Sequence, residues 1–136
     1  MTKKIKTVFF IDDDVMSNMN NKRVMEKANL AAEVVTAGSA VEALELLKQK
    51  FLLPEKFPEL IFLDIYMPEL SGWDFIERFK QFRGQKGKSK IVLLSASPDE
   101  TDLARAKKIP EVSGYAVKPL TEKYIAQLTQ ELFPQL

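Results

Sequence analysis

Leu60 to Gly72 reads LIFLDIYMPELSG, and this stretch decides the fold. Leu60, Ile61, Phe62 and Leu63 run without a break into a single carboxylate, Asp64, and Pro58 and Pro68 bound this apolar run. So short an apolar run between prolines reads as a strand buried on both faces, the habit of parallel sheets. Asp64 stands where that strand stops. Met67-Pro68 turns the chain, and Ser71-Gly72 opens a helix. In an open parallel sheet, ligands and chemistry gather at the carboxyl ends of the strands. Taken alone, Asp64 is equally readable as a turn aspartate, so the other strand ends must decide.

Outward from this stretch, apolar runs alternate with amphipathic ones. Thr7 to Ile11 (TVFFI) reads as the first strand and ends at Asp12-Asp13-Asp14. Val15 to Ala28 reads as a helix stopped by Asn29, with Met16, Met19, Val24 and Ala28 as its inward stripe. Asn18, Asn20 and Asn21 weaken that helix, being poor helix formers. Ala32 to Ala37 is a short second strand. Ser39 and Glu42 have capping-box spacing before a helix with Ala40, Ala43, Leu44 and Leu47 on one face. Phe51 to Pro58 (FLLPEKFP) reads as a packed loop.

Beyond the central stretch, Trp73, Phe75, Ile76 and Phe79 predict a helix to about Phe82, followed by a solvated basic loop from Arg83 to Lys90. Lys90 to Leu94 is a fourth strand ending at Ser95-Ala96-Ser97. Ser97 and Glu100 repeat the capping-box spacing, with Pro98 at a suitable first helical position. Leu103, Ala106 and Ile109 line that short helix. Val112 to Val117 is a fifth strand ending at Lys118-Pro119. Thr121 caps a last helix whose apolar face is Tyr124, Ile125, Leu128 and Leu132, and Pro134 ends it. This alternation predicts an α/β fold: one five-stranded parallel sheet with helices on both faces.

Composition removes several chemistries. The chain has 136 residues, 46% hydrophobic and 29% charged, with a formal net charge of +1. That suits a single globular domain over residues 1–136 and offers no strong basic patch for nucleic acid. Cysteine and histidine are absent. No disulfide, thiolate site, Ser-His triad or imidazole-bound zinc can form, so any metal must be a hard ion bound by oxygen. The apolar run from Val8 to Ile11 falls short of the roughly 7 to 15 residues of a signal-peptide core. No stretch approaches the roughly 20 apolar residues of a membrane span. A cytoplasmic protein is expected.

On this frame, four strand ends carry polar groups: Asp12, Asp13 and Asp14 after the first, Asp64 after the third, Ser95 after the fourth and Lys118 after the fifth. If these strands are adjacent and parallel, all four ends open on one edge. Crowded carboxylates repel and stay ionised only beside a cation, for which Mg²⁺ is the natural candidate. A carboxylate can act as nucleophile toward a phosphoryl group, and an ammonium and a hydroxyl can then hold the phosphoryl oxygens. Asp14 also reads as an acid at a helix N-terminus, favoured by the helix dipole.

These signatures, in this order and spacing, resemble the receiver domain of the two-component response regulator family over nearly the whole chain, from Thr7 to about Phe133. The resemblance rests on Asp12-Asp13, on Asp64 with Met67-Pro68 and Ser71-Gly72, on Ser95-Ala96 and on Lys118-Pro119. It implies the flavodoxin-like (βα)5 receiver fold. Asp64 would be the phosphoacceptor. Asp13 would ligate Mg²⁺ (or Mn²⁺ in its place) directly, Asp12 mainly through water, and the Tyr66 backbone carbonyl would complete the protein's share. Ser95 and Lys118 would contact the phosphoryl group, and Tyr115 falls at the aromatic switch position. Tyr66 and Ser97 occupy the two positions that tune phosphoryl lifetime. The donor would be a sensor histidine kinase or a histidine phosphotransfer protein.

The output would be an unknown downstream protein, or a phosphorylation-dependent dimer, engaged through the fourth helix, fifth strand and fifth helix. Because the chain stops soon after the fifth helix, it resembles stand-alone receivers such as the chemotaxis response regulator. Two alternatives stay open: a receiver-like scaffold that binds without phosphorylation, and a phosphatase. Asp12-x-Asp14 is similar to the opening motif of haloacid-dehalogenase-type phosphatases, with Asp12 as nucleophile, though Met16 stands where that motif usually has Thr.

Overall fold

Five apolar runs form five parallel strands, and the amphipathic segments between them form the helices. A computed structural model describes residues 4–49, 57–86, 89–97 and 99–134. In chain order the elements are β1 (Ile5–Ile11), α1 (Val15–Ala28), β2 (Ala31–Ala37), α2 (Ala40–Gln49) and β3 (Leu60–Asp64). They continue with α3 (Gly72–Lys86), β4 (Lys90–Ser95), α4 (Glu100–Lys107), β5 (Val112–Val117) and α5 (Glu122–Leu132). The strand order is β2-β1-β3-β4-β5, every neighbour pair parallel. β3 lies at the centre and is buried along its length, as its unbroken apolar run predicts.

Alternate residues of the strands feed two cores. On one face Phe9, Ile11, Ile61, Leu63, Ile91 and Leu93 pack with Leu44 and Leu47 of α2, Phe75 and Phe79 of α3, and Ala106 of α4. On the other, Phe10, Phe62, Val92, Leu94 and Ala116 pack with Met25 of α1 and with Ile125 and Leu128 of α5. The Phe10 and Phe62 rings stack at 4.8 Å across the β1–β3 pair. Register places Ile11 opposite Leu63, Asp64 opposite Leu94, and Ser95 opposite Val117. The carboxyl ends of the four strands β1, β3, β4 and β5 therefore share one edge. Among the described residues, no helix is long and apolar enough to cross a membrane.

Three local expectations need correction. In α1, Met16 and Met19 face solvent, whereas Asn18, Asn21 and Met25 are buried. The helix turns Asn18 inward because its side-chain amide donates to the carbonyls of Asp12 and Ala37, both at 2.9 Å. α3 continues through Arg83 to Lys86, so the first half of the basic segment is helical, and residues 87 and 88 lie outside the described ones. α4 is capped by Asp99, whose side chain accepts from the Thr101 N–H at 2.7 Å, not by Ser97; Pro98 lies outside the described residues. The reciprocal capping box is at α3. There the Ser71 hydroxyl accepts from the Asp74 N–H and the Asp74 carboxylate from the Ser71 N–H, each at 3.2 Å. Of the 51–58 loop, Phe57 is buried and stacks on Phe79 at 5.8 Å; residues 51–56 lie outside the described ones.

Candidate functional site

The site forms because β1 and β3 end in acids side by side. Asp12 is fully buried, Asp64 is 6% exposed, and Asp13 faces solvent. One carboxylate oxygen from each lies within 4.8 Å of the others. Asp14 points away: it caps α1, accepting from the Met16 N–H at 2.9 Å. Its own N–H donates to Asp12 Oδ1 at 2.9 Å and fixes that carboxylate.

Lys118 enters from the far side. Its N–H donates to the Ser95 carbonyl at 2.9 Å, and the Lys118–Pro119 peptide is cis. The ammonium reaches Asp12 Oδ2 at 2.6 Å and Asp64 Oδ1 at 3.8 Å. Burial acts against the charge on Lys118, but the bond to Asp12 and the charges of Asp64 and Asp12 outweigh it, so the ammonium titrates above its usual range.

Burial first, and then the Asp12 carboxylate, push the Asp64 carboxyl from 3.8 up to about 7; Lys118 opposes this and Asp13 adds to it. One ammonium does not balance three acids. The residual negative charge, the all-oxygen donor set and the spacing suit a hard divalent cation, whose ligand oxygens stand about 3 to 4 Å apart when bound at 2.0–2.1 Å. Asp12, Asp13 and Asp64 therefore fit such an ion.

The remaining sequence-predicted residues ring this cluster. Ser95 ends β4, 2% exposed, and its hydroxyl donates to the Ser97 carbonyl at 3.0 Å while accepting from the Ser97 N–H at 3.2 Å. That bond pair holds the hydroxyl on its own loop. Tyr115 lies opposite Leu93 on β5, half-buried against the α2–α3–α4 core, and its hydroxyl is buried without a hydrogen-bond partner. Beside it, a groove of roughly 190 Å³ opens between α4 and β5, lined in part by Leu103, Ala106 and Gly114.

Tyr66 follows Asp64 by two residues and is 60% exposed; its hydroxyl donates to Asp102 Oδ2 on α4. That bond raises the phenol from 10.0 to about 12. The loop between Asp64 and α3 is short and tightly folded. The Leu70 N–H donates to the Pro68 carbonyl at 2.8 Å, with Glu69 at φ 68°. A Cβ on Gly72 would stand 2.7 Å from the Asp64 carbonyl oxygen, so only glycine fits there.

Asp102, Asn18 and the Arg105–Trp73 stack, whose guanidinium lies 4.4 Å from the ring centroid, escaped sequence reading. Asn18 left a trace, since a helix crowded with asparagines conflicts with its own propensity. Asp102 left none.

The family model of the response regulator receiver domain matches residues 8–130. The chain is 30% identical over 104 residues to the probable C4-dicarboxylate response regulator DctR of Bacillus subtilis, covering 76% of this chain and 42% of that protein. It is 33% identical over 132 residues to the protein of the same name from Halalkalibacterium halodurans, covering 95% and 53%. The chain thus spans about half the length of these curated relatives. Among solved structures, a two-component response regulator from Cytophaga hutchinsonii superposes with a TM-score of 0.88 at 33% identity, covering 97% of this chain and 99% of that one. The chemotaxis protein CheY4 of Vibrio cholerae superposes at 0.75 with 20% identity, covering 95% and 99%, a likeness of fold alone.

Proposed function

The chain belongs to the response regulator receiver family, and on that premise we propose that it is the phosphoryl-accepting switch of a two-component relay, with Asp64 as acceptor. The observation that carries this reading is the convergence of Asp12, Asp13 and Asp64 within 4.8 Å, with Lys118 reaching across from β5.

An Asp64 carboxylate oxygen attacks the phosphorus of a phosphohistidine on a sensor kinase or phosphotransfer protein. The P–N bond breaks, the imidazole leaves with the electron pair, and an acyl phosphate forms. Asp12, Asp13, Asp64 and the Tyr66 backbone carbonyl would hold Mg²⁺, with Mn²⁺ as substitute. Bound there, the ion supplies positive charge to the phosphoryl oxygens and keeps Asp64 ionised. Lys118, already 3.8 Å from Asp64, holds one phosphoryl oxygen. Ser95 exchanges its bond to Ser97 for a bond to another. Hydrolysis by water at phosphorus returns the free carboxylate. Tyr66 and Ser97 flank the site and set how easily water enters, so Tyr66→Ala shortens the phosphoryl lifetime.

The output is a population shift. Movement of Ser95 frees the segment leading to α4, and the unsatisfied Tyr115 hydroxyl favours a rearrangement in which it gains a partner. Both changes lie on the α4–β5–α5 face, which engages a downstream protein or a second copy. A cytoplasmic working compartment goes with this reading.

The test is intact mass after incubation with Mg²⁺ and acetyl phosphate. Wild type should gain one phosphoryl group, and Asp64→Asn or metal-free protein none. If no adduct forms, the response to Mg²⁺ and beryllofluoride, an acyl-phosphate mimic, decides: a metal-dependent response means hydrolysis outran detection, and none means a scaffold that works without phosphorylation.

A further inference from the structure

We propose that Asp102 is a positioning residue for the chemistry at Asp64, acting through the ring of Tyr66. This rests on the reading of Asp64 as phosphoacceptor and adds to it a residue of α4.

Tyr66 is 60% exposed, and a ring that open is ordinarily mobile. Here it is held at both ends. Its backbone belongs to the loop that starts at Asp64, pinned by the Gly72 N–H to Ile65 carbonyl bond at 2.8 Å and by the close approach of Gly72 to the Asp64 carbonyl. Its hydroxyl is held by Asp102, 36 residues away in sequence and 8% exposed. Asp102 is the third residue of α4, where an acid commonly turns back to cap the helix. Asp99 already caps α4, and the Asp102 carboxylate reaches out to Tyr66.

A second tie lies one turn along the same face of α4. Arg105 stacks over Trp73 at 4.4 Å, and Trp73 is the second residue of α3. The loop joining Asp64 to α3 is therefore fastened to α4 at both its ends. A displacement of α4 must carry the Tyr66 ring with it or release the ring. Water entry at the aspartyl phosphate thus depends on where α4 sits, and a partner that grips α4 changes the lifetime of the phosphoryl group from a distance.

The experiment compares the decay of the Asp64 adduct, loaded with acetyl phosphate and Mg²⁺ and then freed of donor, in wild type, Tyr66→Phe, Asp102→Ala, Asp102→Asn and the Tyr66→Phe/Asp102→Ala pair. Tyr66→Phe removes one hydroxyl from an exposed ring and leaves the fold intact. Emission of Trp73, the sole tryptophan, checks the α4 contact in each variant. Tyr66→Phe and Asp102→Ala should each speed decay by roughly three- to tenfold, the range expected for one lost hydrogen bond. The pair should be no faster than either alone, and Asp102→Asn, whose carbonyl still accepts from the phenol, should keep the wild-type lifetime. Wild-type decay in Tyr66→Phe, or fully additive effects in the pair, overturns the proposal while leaving Asp64 as acceptor. A wild type that takes up no phosphoryl group and gives no beryllofluoride response overturns both.

Discussion

Asp64 carries the tension of the site. Its carboxyl is pushed from 3.8 to about 7 by burial and by Asp12. The folded state therefore binds this proton more tightly than the unfolded chain does. The associated stability is fully present below about pH 4, is lost as pH rises toward 7, and stays lost above it. Asp64→Asn removes the penalty. In metal-free buffer at pH 8 the variant should melt above wild type by on the order of 5 °C, and the gap should close toward pH 4. Millimolar Mg²⁺ should raise the wild-type melting temperature and narrow the gap at pH 8. Equal melting temperatures at pH 8 without metal would mean that Asp64 is not destabilised by its neighbours. The acids and Lys118 were legible in the sequence because each directly follows an apolar strand. Tyr66–Asp102 was not, because a bond between residues 36 apart depends on how α4 packs, and an acid in a first helical turn has an ordinary explanation in the helix dipole.

Among the elements, α1 and α5 end where their local signals predict, whereas α4 starts at Asp99 rather than at the Ser97 signal. Asn29 stops α1 in a left-handed conformation at φ 58°, and Thr121 caps α5 through the Tyr124 N–H. The inward face of α1 matched at Val24 and Ala28 but not at Met16 and Met19, because periodicity scores methionines as core while the tertiary need was for Asn18 to satisfy two carbonyls at the β1 and β2 ends. The end of α3 was missed because a run of Lys, Arg and Gly reads as a loop, whereas the helix runs on to Lys86. The β3–α3 connection gives the sharpest prediction at this scale. Gly72→Ala drives a methyl to 2.7 Å from the Asp64 carbonyl oxygen and 3.0 Å from the Ile65 Cα. Both are backbone and cannot rotate aside, so the start of α3 must move. Urea unfolding should show a loss of about 1 to 3 kcal/mol, and adduct formation at Asp64 should slow, because the displaced loop carries both Asp64 and Tyr66. A variant with unchanged stability and unchanged phosphorylation would show that the loop gives way without cost.

Across the whole molecule, the strand order decides whether the polar ends meet. Alternation alone predicts a parallel sheet but not that β1 and β3 are neighbours with β4 and β5 beyond them, since that order depends on which helices cover which face. In the observed order, β1 and β5 are separated by three inter-strand steps, about 14 Å. Lys118 closes this distance because its backbone is tied to Ser95 at the end of β4, and the ammonium then lies across the β3 and β1 ends. It is thus the one residue among the described ones that links Asp12 and Asp64 by ion pairs. Lys118→Gln leaves a fully buried Asp12 and a nearly buried Asp64 facing each other without a cation. Removing one partner of a buried pair costs more than the pair itself contributes, so metal-free unfolding at pH 8 should show a loss of about 3 to 5 kcal/mol. The deficit should shrink when Mg²⁺ is added, because a divalent ion among the same carboxylates restores the missing positive charge. The variant should therefore gain more stability from Mg²⁺ than wild type does. It should still bind the metal, yet carry the aspartyl phosphate without its switch, since no ammonium remains to draw the β5 end toward the phosphoryl group. Thermal melts with and without Mg²⁺, read alongside hydrogen exchange of the β5 amides under beryllofluoride, test both halves. Protection of β5 by beryllofluoride in Lys118→Gln equal to that in wild type would remove Lys118 from the coupling and leave it a structural ion pair.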